Sequence, residues 1–147
     1  MSVNIEIKGL KELKKKFSDL NPLLIDGMVD GINKASGVVL ASAKSLTPVD
    51  TGKLRQANCA IPAYVRGDSI VGGVMNSCDH AMYVEFGTGQ RGNGSYPYKT
   101  NLSLSYKSEW MGQVAQPFLG RALHTNGYRI DKVVLASVRR KIKEVSK

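Results

Sequence analysis

The chain has 147 residues and a mass of 16.0 kDa, the size of one globular domain. Its 42% hydrophobic, 22% charged and 7% aromatic residues exclude the disordered and collagen-like classes. No apolar run approaches the roughly 20 residues that span a bilayer. Residues 1–9 alternate polar and apolar positions where a signal peptide would carry an apolar core, so a cytoplasmic protein without a membrane partner is expected. Twenty-one Lys and Arg against 12 Asp and Glu give a formal charge of +9 and favour anionic partners, either nucleic acid or acidic protein.

Val3, Ile5 and Ile7 alternate with polar residues and predict a strand that ends at Gly9. Leu10, Leu13, Phe17 and Leu20 recur at helical spacing among lysines and predict a short amphipathic helix, closed by Asn21 and Pro22. Leu24, Met28, Ile32, Ala35, Val39, Ala43 and Leu46 then define one long helix over 23–46. Gly27 and Gly31 lie on an adjoining face where another element could approach closely. Residues 47–54 read as a helix stop and turn, in which Asp50 or Thr51 could cap a short helix.

Cys59, Ile61, Ala63 and Val65 alternate, followed by Arg66-Gly67-Asp68-Ser69 and by Ile70 and Val74, which predicts a β-hairpin turning at that tetrapeptide. Pro62 marks the first hairpin strand as an edge or bulged one. Residues 81–86 fit either a short strand or a helical turn. From 87 to 116 no periodicity persists, so a long flexible loop, rich in glycine and then in aromatic residues, is expected. A helical region follows from Pro117 with a break at Asn126 and Gly127. The final helix carries Ile130, Val134, Val138 and Ile142 at four-residue spacing. Residues 129–147 hold seven Lys or Arg against two acids, which is +5 of the net charge.

Little of this supports catalysis. Gly52-Lys53 lacks both the following Ser or Thr and the preceding Gly of a phosphate loop. Cys78, Asp79 and His80 have no second cluster to complete a metal site, and Cys59 and Cys78 are expected to be free thiols. His80 and His124 are the candidate bases, but neither lies near a nucleophile motif. Glu85, between Val84 and Phe86, could be a buried carboxylate with a raised pKa, a role more common for a structural charge than for an isolated catalyst. A small hydrolase built on Glu85 or His80 is therefore a remote alternative. Arg66-Gly67-Asp68 has the composition of a turn without invoking a receptor. No catalytic residue, cofactor or metal is assigned.

Three fragments occur in order: Thr47-Pro48-Val49-Asp50-Thr51-Gly52-Lys53-Leu54-Arg55, then Tyr83-Val84-Glu85-Phe86-Gly87-Thr88-Gly89, then Gly112-Gln113 and Ala115-Gln116-Pro117-Phe118-Leu119 with Ala122-Leu123. Together they resemble the tail-completion, or head-tail joining, family of long-tailed bacteriophages and prophages. Pro48, Asp50, Thr51, Gly52, Leu54, Glu85, Phe86, Gly87, Thr88, Gln116, Pro117 and Phe118 carry the resemblance. The stretch from Gln90 to Gln113 is longer than in the shortest family pattern.

The resemblance implies one α+β domain over 1–147, with a long helix and a C-terminal helix on one face of a small, mostly antiparallel sheet. It also implies a non-enzymatic virion protein, assembled in the host cytoplasm, that forms a homo-oligomeric ring, commonly a hexamer, in the neck. The ring would join the tail to the DNA-filled head and contact neighbouring neck and tail-tube proteins. DNA would pass through its lumen without specific binding.

A ring subunit needs two different contact patches. Tyr96, Tyr98, Tyr106 and Trp110 of the long loop, ordering on assembly, are the candidates for one. Arg139, Arg140, Lys141 and Lys143, facing acidic neighbours, are the candidates for the other. The competing reading is a basic nucleic-acid-binding module that grips a duplex through the C-terminal and first helices.

Overall fold

The computed structural model describes residues 1–16 and 22–145. In chain order the elements are β1 (Ser2–Lys8), α1 (Leu10–Lys16), α2 (Pro22–Leu46), α3 (Lys53–Gln56), β2 (Asn58–Arg66), β3 (Ser69–Asn76), α4 (Ala81–Phe86), α5 (Gly89–Gly92), α6 (Leu119–Thr125) and α7 (Gly127–Val145). The protein is α+β, with a three-stranded antiparallel sheet in the order β1-β3-β2. Helices α2 and α6 pack on the sheet, and α7 stacks on α2. No helix among the described residues is long and apolar enough to cross a membrane.

The alternation of β1 places Val3, Ile5 and Ile7 towards the helices and Ser2, Asn4 and Lys8 in solvent. Ile5 of β1, Ile70 and Val74 of β3, Ile32, Ala35 and Val39 of α2, and Phe118 and Leu119 form the centre of the core. Each large apolar side chain buried there contributes about 1.5–3 kcal/mol. In α1, Leu10 is buried, whereas Phe17 and Leu20 lie outside the described residues.

The hairpin turns where the sequence places it. Pro62 sits on the β2 edge beside an irregularity in register between Ile61 and Tyr64. The Ala63 amide there donates to Asn33 Oδ1 of α2 at 2.8 Å, which satisfies a group the ladder leaves out. The expected inward alternation holds for Ile61 and Ala63 only. Val65, beyond the bulge, and Cys59, at the other end of the strand, are exposed. Asp68 caps α1: its carbonyl accepts from the Leu10 amide and its carboxylate from the Lys11 amide. Arg66 pairs with Glu6 at 3.4 Å. The Arg-Gly-Asp tripeptide is thus absorbed by the fold.

Gly27 and Gly31 mark a close approach, and the approaching element is α7. A Cβ on Gly31 would lie 3.0 Å from the Val134 Cα, and one on Gly27 would lie 2.8 Å from the Lys141 Cγ. The four-residue row of α7 only partly faces α2. Ile130 is buried and Val134 and Val138 are half-buried, but Ile142 is 46% exposed. Steps of four residues advance about 400°, so the row drifts off the contact face. The residues that stay on it are Ile130, Val134, Ser137 and Lys141.

Three smaller differences, and the choice left open at 81–86, concern local structure. No side chain caps α3. Gly52 stands at its N-cap with φ 84°, and the Thr51 hydroxyl is 3.5 Å from the Lys53 amide, so neither Asp50 nor Thr51 plays the expected role. Residues 81–86 are helical. α6 begins at Leu119, two residues after Pro117. The 87–116 segment contains the short helix α5 and an isolated bridge between Thr88 and Gln113.

Candidate interaction surface around helix α4

The three sequence fragments, far apart in the chain, converge on α4. The first is anchored by a buried polar network at the end of the sheet. Asn58 donates to the Thr47 hydroxyl at 2.8 Å and Asn76 donates to the Leu54 carbonyl at 2.8 Å and to Asn58 Oδ1 at 2.9 Å. Thr47, Asn58 and Asn76 are each at most 3% exposed. This network fixes the 47–54 turn, with Leu54 as its buried anchor and Asp50 and Thr51 exposed. Together with His80 and Val84, residues 48–54 line a cleft of about 440 Å³.

The second and third fragments are joined by Glu85. Its side chain is fully buried, and its carboxylate accepts from the amides of Phe118, Leu119 and Gly120 at 2.8, 3.0 and 2.7 Å. It therefore caps the first turn of α6 from a distant part of the chain, satisfying amides that have no partner inside the helix. The Tyr96 hydroxyl donates to Glu85 Oε1 at 3.4 Å. Burial pushes the Glu85 pKa up, and the three amides and Tyr96 oppose that shift without cancelling it. Burial, with the Glu85 charge adding to it, pushes the Tyr96 hydroxyl up to about 12. The Gln116 amide donates to the Val84 carbonyl at 2.8 Å, and Pro117 and Phe118 are buried behind it.

The chain after α4 folds back on itself. Thr88 and Gln113 exchange amide–carbonyl bonds at 2.9 and 3.0 Å, and the Gln90 and Arg91 amides donate to the Trp110 and Met111 carbonyls, each at 2.9 Å. Gly89 and Gly112 permit this contact. Both have positive φ, and a Cβ on Gly112 would overlap the Thr88 carbonyl. Thr88, Gly89, Gly112 and Gln113 line a second cleft, of about 650 Å³, with Tyr83, Tyr106, Lys107 and Trp110.

The four aromatic residues expected at a contact separate into two kinds. Tyr96 packs on Phe86 with ring centroids 4.6 Å apart, Tyr98 packs between Tyr96 and His124, and Tyr106 donates to the Phe86 carbonyl at 3.0 Å. These three pin the segment to α4 and α6. Trp110, 57% exposed, faces outward across the second cleft from Tyr83, 61% exposed. Met82, Met111 and Val114, exposed beside them in the chain, add apolar surface.

The basic set divides as well. Arg140 pairs with Asp30 at 2.9 Å and Lys141 with Glu144 at 3.4 Å, whereas Arg139 and Lys143 are exposed. Lys34 shares Asp30 with Arg140, and these contacts hold its carboxylate below the usual range. Cys78 Sγ lies 3.3 Å from His80 Nδ1, and no group of three metal-ligating side chains gathers among the described residues. Sequence reasoning missed Asn58 and Asn76, whose only signal is an amide side chain at each end of the hairpin. It also missed the three-amide role of Glu85, because the partners lie more than thirty positions away.

The family model HK97-gp10_like, described as "Bacteriophage HK97-gp10, putative tail-component", matches residues 11–87. The chain belongs to this family. Comparison with curated proteins and with solved structures found no match. The matched span of the HK97-gp10-like chain runs from α1 through Gly87 and so includes the 47–54 turn and Glu85, two of the three parts that meet at α4. Membership makes the protein a structural component of the bacteriophage tail and places it with the other structural proteins of the virion.

Proposed function

We propose that this tail component acts in the neck, where copies form a ring, as a hexamer, that completes the tail and joins it to the DNA-filled head without catalysing a reaction. The observation that carries the reading is the family match over 11–87, extended by the third fragment, which Glu85 ties to the second. A ring subunit has to offer each neighbour a defined patch. The second cleft, with Trp110 and Tyr83 projecting across it, suits one such contact because aromatic anchors bury area with few rotors to freeze. Tyr96, Tyr98 and Tyr106 then serve by holding the segment that presents Trp110. DNA passes through the lumen without specific binding, and the basic charge on α7 faces neighbouring proteins.

Electron microscopy of particles from a phage lacking the gene, with and without the gene supplied in trans, tests this. Filled heads beside separate or malformed tails, restored to joined particles by the gene, are expected. Normal joined particles without the gene would contradict it.

A further inference from the structure

We propose that the outer face of α7 is a docking site for an acidic amphipathic helix of another virion protein. The proposal rests on the virion role above and deepens it, giving a partner chemistry to the α7 surface that role turns towards neighbouring proteins. The inner face of α7 is occupied, since Ile130, Val134, Ser137 and Lys141 lie against α2. On the opposite side stand Tyr128, Leu135 and Ile142, which are 72%, 52% and 46% exposed. They are spaced by sevens, so they form a nearly straight apolar ridge of about 21 Å at 1.5 Å per residue.

Lys132, Arg139 and Lys143, all exposed, run alongside that ridge on one flank. Lys132 Nζ stands 5.0 Å from the Tyr128 ring centroid, which brings the first cation to the start of the ridge. A single apolar row with a cationic row beside it is complementary to a helix bearing an apolar row and an acidic flank. A second copy of α7 meets that condition poorly: antiparallel, it would set Lys132 and Arg139 against their own equivalents, and parallel, it would offer the cationic row a flank whose one exposed acid is Asp131. A DNA duplex would satisfy the cations but would set Leu135 and Ile142 against phosphates and water, where they gain nothing. The acidic helix is the occupant that uses both rows.

The test titrates the purified full chain against four fluorescent probes. These are a three-heptad peptide with leucine at the core positions and glutamate flanking them, a scrambled peptide of the same composition, the ordered peptide with lysine for glutamate, and a short DNA duplex. The ordered acidic peptide is expected to bind at least about ten times more tightly than the other three. Leu135→Ser and Arg139→Glu should each weaken that binding about tenfold with unchanged melting midpoints. Equal binding of the ordered and scrambled acidic peptides, tighter binding of the duplex, or no binding of any probe would overturn the proposal.

The same two variants, supplied in trans to phage lacking the gene, are expected to give few joined particles. If the deletion blocks joining and both variants restore it fully, the docking proposal fails while the neck reading stands. If the deletion leaves joining intact, the neck reading itself fails.

Discussion

Glu85 concentrates more of the local architecture than any other single side chain near α4. Replacing it with alanine leaves three buried amides without an acceptor and is expected to cost about 3 kcal/mol or more of stability, read as a lower urea midpoint. Glu85→Gln keeps one acceptor oxygen but turns an amide group towards backbone donors, so it should also destabilise, by less. The pH dependence has a definite sign. The folded pKa lies above the unfolded value, so the native state holds this proton more tightly than the unfolded chain. The resulting contribution is complete below the ordinary Glu value of about 4.3 and is lost as pH rises through the folded pKa. Wild type should therefore gain in melting temperature relative to Glu85→Gln as pH is lowered; a constant or shrinking difference would contradict it. Ser36 presents the reverse case. Its hydroxyl is buried with no hydrogen-bond partner among the described residues, so Ser36→Ala should raise stability by about 1 kcal/mol.

At the scale of elements, legibility in the sequence follows periodicity. The 25 residues of α2 and the alternation of β1 are plain because each element keeps one face buried along its length. The α7 contact row is not legible in the sequence, because a four-residue repeat looks helical while rotating off any flat partner. Residues 87–116 are opaque for a different reason, since glycine-permitted backbone approaches and tyrosines used as internal pins have no period to read.

Two glycines of α2 separate propensity from packing. Gly37 is exposed, and a Cβ added there would meet nothing within 4 Å, so Gly37→Ala should stabilise by about 0.5–1 kcal/mol. Gly31→Ala gains the same propensity but meets the α7 backbone. Gly31→Leu should lose about 2 kcal/mol through overpacking, measured by chemical unfolding. For the 87–116 segment, amide exchange should show protection at Thr88, Gln90, Arg91 and Gln113 in the free protein and rapid exchange across 99–105. Uniformly fast exchange over 88–113 would contradict that division.

For the whole molecule, the sequence motifs locate the junction around α4 better than composition does. The three fragments are separated in the chain because the turn after α2, helix α4 and the approach to α6 each contribute one side of a single junction, and their order in sequence carries that information. Net charge is the less informative guide. Part of the basicity is paired at the surface with Asp30 and Glu144, and the cations left on the outer face of α7 run beside an apolar ridge that a charge count does not register.

A structural role in the neck makes a geometric claim that can be observed in place. Cryo-electron microscopy of the intact virion, with the α2–sheet–α7 fold located in the density, should find the copies as one closed ring at the junction of head and tail. Finding that fold stacked along the tail tube, confined to the distal tip, or missing from the particle would contradict it.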